Sequence, residues 1–107
     1  RLNKERTSLP LKNTIADGLR ISVPGQNPYP IIEKYVDEII LVDDEHIVAG
    51  MRALAKDAKL IAEPAASIGI GALLAGSVEL KPDEKVCVVL TGGNWDLCDL
   101  AEIYAGG

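Results

Sequence analysis

Val86-Cys87-Val88-Val89-Leu90-Thr91-Gly92-Gly93-Asn94 is the stretch on which the reading of this chain turns. Five consecutive apolar residues stop at a hydroxyl, two glycines and an amide. A short apolar run without alternation reads as a strand buried on both faces, the kind found at the centre of a parallel sheet. In open α/β sheets, ligands collect beyond the carboxyl ends of the strands. The Thr91–Asn94 turn is therefore expected where a small molecule is held, and glycine there lets backbone approach a ligand closely. On these residues alone, a plain strand-to-loop turn and a ligand-holding turn both stand open.

Upstream of this strand, Lys81 to Lys85 reads as a charged turn. A helix is expected from Pro64 to Leu74 with Gly76 as its stop. Gly69 and Gly71 weaken that helix, so something must pack very close to it. Asp43 is a good N-cap, and Asp44 and Glu45 suit the positive end of a helix dipole. Apolar residues then recur at Ile47, Met51, Leu54, Ala55 and Ala58, a helical stripe ending near Lys59. Asp37 to Val42 reads as a strand. Before it comes a loop, Gln26 to Pro30, whose proline favours a helix start and a helix through about Val36. Leu19 to Val23 alternates as a weaker strand, Thr14 to Leu19 reads as a short helix or turn, and Arg1 to Asn13 as a polar connecting segment. Downstream, a short amphipathic helix is expected from about Asp96. The order strand, helix, helix, strand, helix belongs to an α/β sandwich with a mainly parallel sheet. Two clear strands and one weaker strand cannot make a sheet covered on both faces, so the chain is expected to be part of a larger domain.

The composition agrees with that expectation. The 107 residues leave room for one small domain or part of a larger one. A chain that starts at Arg1 rather than methionine is expected to be a processed, cleaved or trimmed polypeptide, and these residues leave open whether a regulatory domain follows. Hydrophobic residues make up 48% but aromatics only 4%, with no Phe, so the core must be aliphatic. Sixteen acidic residues against eleven basic give a net charge of −5. Such a chain repels phosphate backbones, and it has no basic stripe interleaved with aromatics; nucleic-acid binding is not expected. The most apolar stretch, Ile68 to Ala75, is too short and too glycine-rich to span a bilayer. Arg1 to Arg6 is polar and does not open a signal peptide, which leaves the cytoplasm as the expected location. Cys87 and Cys98 lie too far apart for a Cys-x-x-Cys site, and Cys87 is expected to act as a small hydrophobe inside the buried strand.

Three further positions invite a chemical role. His46 is the only histidine and sits among Asp43, Asp44 and Glu45. A solvated helix start accounts for that cluster, and the ligand spacing is wrong for a metal site. With no partner for a nucleophile, triad chemistry is not expected. Glu63 lies between Leu60-Ile61-Ala62 and Pro64-Ala65-Ala66, so it is expected to be partly buried at a helix N-terminus, either capping that helix or facing a ligand. Asp17-Gly18 reads equally as a turn or as part of a site.

Taken together, these segments carry a resemblance. Thr14-Ile15-Ala16-Asp17-Gly18, Pro30-Ile31-Ile32-Glu33, Val36-Asp37-Glu38-Ile39, Glu63-Pro64 with its small-residue helix, and Val88 to Asn94 follow in an order and spacing that resemble the C-terminal portion of serine/threonine dehydratases and serine racemases. Those are fold-type-II pyridoxal-phosphate enzymes, and the likeness runs from about Pro10 to Leu100. It implies that the Thr91 hydroxyl hydrogen-bonds the pyridine nitrogen of the cofactor, where the family usually has serine. A neutral partner leaves the ring unprotonated, which moderates its electron-sink character and suits β-elimination. The resemblance also implies that Gly92 and Gly93 let the turn approach the ring, that Glu63 is the acidic residue near the ring, and that Gly18, supported by Asp17, borders the substrate and cofactor pocket.

The same resemblance marks what these residues do not contain. The family carries a Ser-x-Lys segment whose lysine forms the Schiff base, a substrate-carboxylate loop and a tetraglycine phosphate loop; none occurs here. Gly92-Gly93 is no substitute, because a phosphate cradle needs several N–H groups at a helix N-terminus. The acidic cation site of some relatives lies in the missing region, so no metal is assigned. The expected fold is thus a partial three-layer α/β sandwich within the larger fold-type-II domain, with residues 1–107 forming the C-terminal part of its cofactor-binding catalytic domain. The expected function is a dehydratase-like lyase that turns a small hydroxy amino acid into a 2-oxo acid and ammonia. This chain alone would supply no catalytic residue. It would work with the missing N-terminal part, on a separate or cleaved chain, in a homo-oligomer. Some racemases of this scaffold carry serine three positions after the glycine matching Gly18; Ile21 stands there, which favours a lyase. Racemisation, and a non-catalytic structural fragment, are the alternatives.

Overall fold

Residues 6–106 are described by the computed structural model, so that residues 1–5, the start of the polar opening segment, and Gly107 lie outside the described residues. Local signals account for most of the elements. A 3₁₀ turn at Asp17–Leu19 is followed by α1 (Pro28–Tyr35), α2 (Asp44–Ala53), a π-helical turn at Leu54–Ala58, α3 (Pro64–Leu74) and α4 (Leu97–Ala105). The α1 helix starts at Pro28, inside the loop Gln26–Pro30 expected from sequence, because a proline in the first turn fixes a helical φ where no N–H is needed. In α2 the Asp43 carboxylate accepts the His46 backbone N–H at 2.9 Å. The helix widens into the π-turn and stops at Lys59, whose φ of 59° is left-handed. Gly76, at φ 66°, ends α3. Its N–H donates to Leu73 O at 3.1 Å and that of Ser77 to Ala72 O at 3.0 Å, the paired bonds of a Schellman stop. Asp96 caps α4 by accepting the Cys98 N–H at 2.7 Å.

The core lies between α2 and α3. Met51 and Ile47 are 0% and 1% exposed, with Leu54, Ala62 and Ala66 also buried. Each large side chain removed from water in this way contributes about 1.5–3 kcal/mol. The two helices meet backbone to backbone. A Cβ on Gly50 would lie 2.7 Å from Ser67 O, and one on Gly71 only 2.5 Å from His46 O. Gly69 meets an irregular segment instead: its Cβ position is 2.6 Å from Val88 Cγ1. The close packing that the helix glycines demanded is thus found on two sides of α3. The α4 helix is fastened by Arg52, whose Nε–H donates to Ile103 O at 2.9 Å, and by buried Leu100.

The strands expected at Leu19–Val23, Asp37–Val42 and Val86–Leu90 differ from the observed chain. Among the described residues no strand forms. One backbone bond, Leu9 N–H to Ser22 O at 2.9 Å, touches the first segment. The Val86–Leu90 run is irregular and not buried on both faces: Val89 is 73% exposed, and only Val88 is half-buried, on Gly69. Cys87 is likewise exposed, not a core thiol. The physical reason is that a strand satisfies its N–H and C=O groups only through a ladder to a neighbour, and no such ladder forms among the described residues. The outline says the same. The radius of gyration is 15.1 Å and the shortest extent 19 Å, against about 13 Å for the radius of a compact domain of this length.

Candidate functional site

Three turns far apart in sequence converge on the N-terminus of α3. Pro64 has no N–H, and the Glu63 carbonyl accepts the backbone N–H groups of Ala66 and Ser67, each at 3.1 Å, and the Ser67 hydroxyl at 3.0 Å. Those donors are therefore already taken. The Glu63 side chain does not cap the helix. Half-buried, it turns instead toward the Thr91–Asn94 turn, where a Cβ on Gly92 would lie 3.2 Å from Glu63 Oε1. The Glu63 N–H donates to Gly92 O at 3.1 Å, tying the turn down. On Gly93 a Cβ would meet Ile61 O at 2.9 Å. Backbone contact thus requires a glycine at 93, a Cβ at 92 would crowd the Glu63 carboxylate, and these contacts seat the turn on residues 61–63. Gly18 completes the group; a Cβ there would lie 3.5 Å from Ala65 Cβ, one residue into α3 from Pro64.

Two polar groups are left over at this junction. The Thr91 hydroxyl is exposed and, like the Glu63 carboxylate, makes no hydrogen bond among the described residues. Alongside them, Asp17 and Asn94 line one open concavity with Trp95, Asp96, Leu97 and Asp99. Gly18, Glu63, Thr91, Gly92 and Gly93, together with Asp17, are therefore brought into one neighbourhood. His46 is elsewhere: its Nδ1 sits 2.7 Å from Asp43 Oδ1 at the exposed start of α2. The His46 backbone N–H, and then its ring, hold the Asp43 carboxyl below its ordinary value of 3.8.

The sequence pattern of "Pyridoxal-phosphate dependent enzyme" matches residues 1–92. The chain belongs to the pyridoxal-phosphate dependent enzyme family. This family member is 35% identical over 106 residues to "L-threonine dehydratase catabolic TdcB" of Staphylococcus aureus, covering 97% of this chain and 31% of that protein. Maize serine racemase superposes with a TM-score of 0.81 at 32% identity, over 98% of this chain and 34% of that one. A threonine deaminase of known crystal structure, from the source abbreviated T.th., gives 0.75 at 30% identity, over 87% and 33%. The chain spans about a third of the length of the curated relatives it matches, and its fold is that of part of an α/β enzyme of fold type II.

The cofactor of this family is pyridoxal phosphate, and the residues present fit one end of it. An unpaired hydroxyl and an unpaired carboxylate flanking a glycine turn suit the heterocycle and its edge. The phosphate end finds no counterpart in several free N–H groups here, since Pro64 has none and those of Ala66 and Ser67 already bond the Glu63 carbonyl. One contributor escaped the reading of the sequence. Asp44 accepts the Thr14 hydroxyl at 2.5 Å and the Ile15 N–H at 3.1 Å, holding the segment that carries Gly18. Its position in the first turn of α2 pointed only to the helix dipole, and nothing local signals a partner thirty residues away.

Proposed function

We propose that this chain is the C-terminal part of the cofactor-binding domain of a lyase that eliminates water from serine or threonine. The observation that carries the reading is the convergence of Gly18, Glu63 and Gly92 on one helix end, with the Thr91 hydroxyl and Glu63 carboxylate left unpaired. Pyridoxal phosphate, when bound, supplies the electron sink that lets a proton leave the amino-acid α-carbon. Thr91 would donate its hydroxyl proton in a hydrogen bond to the pyridine nitrogen without surrendering it. Glu63 would line the ring edge, Gly92 and Gly93 would keep the turn seated beneath it, and Asp17-Gly18 would border the substrate. Loss of the α-proton and the β-hydroxyl gives water and an enamine, and hydrolysis of its imine tautomer consumes one water and releases ammonia and the 2-oxo acid.

The remaining polypeptide would supply the lysine and the phosphate loop. Its strands would pair with residues 37–42 and 86–90, completing the mainly parallel sheet and covering Leu41 and Val89, which are 90% and 73% exposed here. Assembly into a homo-oligomer and a cytoplasmic location go with this reading; no helix among the described residues is long and apolar enough to cross a membrane. Likeness to maize serine racemase favours a second reading, racemisation, against which Ile21 stands where some racemases have serine. The test is a product assay on the assembled enzyme with L-serine and L-threonine. The lyase reading expects equal amounts of ammonia and 2-oxo acid from both. D-Serine as the main product supports racemisation, and no product with either substrate supports an inert structural piece.

A further inference from the structure

The turn that carries Gly18 has little to hold it. Its backbone bonds are local: Asp17 N–H to Ile15 O, Leu19 N–H to Ala16 O and Arg20 N–H to Asp17 O, each at 2.9 Å. Gly18 itself offers no side chain, and both Asp17 and Gly18 are exposed. Two features fix the turn to the helical body. Ala16 is buried, at 1% exposure, and the Asp44 carboxylate grips the segment just before it. That grip is bidentate. One Asp44 oxygen accepts the Thr14 hydroxyl, the other accepts the Ile15 N–H, and the Thr14 oxygen in turn accepts the Ala16 N–H at 3.2 Å. Bonds to an ionised carboxylate are about twice as strong as those between neutral groups. Asp44 stands on α2, which is locked to α3 by the Gly50–Gly71 contact, and α3 carries Glu63 at its start.

We infer that Asp44 is a positioning residue, which sets the Asp17-Gly18 turn against the N-terminus of α3 through Thr14 and Ile15. The inference rests on the reading that Gly18 borders the substrate pocket. Asp44 touches neither substrate nor cofactor; it acts through the turn. Thr14 has the same standing, as the hydroxyl that relays the grip from Asp44 to the Ala16 N–H. Losing the carboxylate frees two donors at once, the Thr14 hydroxyl and the Ile15 N–H, and loosens the hydroxyl that holds the Ala16 N–H, while the helix pair keeps all of its own contacts.

The experiment uses the assembled enzyme with Asp44→Asn, Thr14→Val, Thr14→Ser and the double variant Asp44→Asn/Thr14→Val. Glu45→Gln is the control, since it removes an exposed charge from the same first turn without touching residues 14–18. Amide hydrogen exchange and steady-state kinetics are read together. Exchange at residues 15–18 is expected to quicken about tenfold in Asp44→Asn and Thr14→Val, with α2 and α3 amides unchanged. The double variant should go little further than either single change. Thr14→Ser, which keeps the hydroxyl, and Glu45→Gln should behave as wild type. KM for the hydroxy amino acid should rise about tenfold, with kcat changed far less, as befits a misplaced pocket wall. Unchanged exchange at residues 15–18 overturns the inference whatever the kinetics show. Quickened exchange with unchanged KM also overturns it, and then the place given to Gly18 falls with it, while the role of Thr91 is judged by its own variant.

Discussion

The α2–α3 pair and the irregular segments 37–42 and 86–90 use the same aliphatic side chains to opposite ends. In the helix pair Met51 and Ile47 are 0% and 1% exposed, whereas Leu41 and Val89 in the irregular segments are 90% and 73% exposed. A helix satisfies its backbone within itself, so a single neighbour suffices to bury one face. A central strand needs neighbours on both edges and cover on both faces. The chain thus contains one finished part and one that, on the proposed reading, waits for a complement, and the candidate site lies on the seam between them. Gly18 and Glu63 belong to the finished side, Thr91 to the waiting one.

The largest expected effect comes from breaking the finished part. Gly71→Ala drives a methyl to within 2.5 Å of a backbone carbonyl on α2, which no rotamer change relieves. Overpacking of this kind costs about 1–3 kcal/mol, more than the ~1 kcal/mol of helix propensity that alanine recovers. A clear fall in the urea midpoint is expected. Gly69→Ala meets a valine methyl on the waiting side instead, so its midpoint should move much less. Equal shifts for the two variants would erase the distinction between the regions.

A smaller effect tests the waiting part directly. Val89→Ser should change the stability of the chain by itself by no more than ~0.5 kcal/mol, the usual range for an exposed position. In the assembled enzyme the same change should be clearly destabilising. A large loss in the isolated chain would mean that Val89 is already buried.

The caps explain why one region was legible and the other was not. Asp43, Gly76 and Asp96 begin or end helices through bonds to residues two or three positions away, and Pro64 starts one by its own fixed backbone, so the sequence carries the whole signal. The glycines of α3 likewise announced a close neighbour, although not which one. The apolar runs announced burial, yet Leu41 and Val89 are exposed and no strand forms among the described residues. Glu63 was legible as half-buried, yet its turn away from the helix cap depends on Gly92, nearly thirty residues on. The Asp44 grip on Thr14 is of the same non-local kind.

The smallest expected effect is the pH dependence of the α2 cap. The Asp43 carboxyl is lowered from 3.8 in the folded chain by the His46 N–H and ring, so its ionised form is the one that stabilises the helix. That contribution is complete above the ordinary value and is lost as pH falls through the lowered one. Asp43→Asn should flatten this acid limb in stability measured from pH 6 downward, slightly, because the group is exposed. An unaltered acid limb would remove Asp43 as its source.

The central claim is that the waiting side delivers a hydroxyl to the cofactor's pyridine nitrogen. Cofactor titration of the assembled enzyme, wild type against Thr91→Val, tests it most directly. Loss of one such hydrogen bond, worth about 1–1.5 kcal/mol, should weaken cofactor binding about tenfold and shift the bound absorbance, with the unfolding midpoint of the cofactor-free enzyme unchanged and Thr91→Ser restoring affinity and absorbance. Unchanged affinity and absorbance in Thr91→Val would contradict the account.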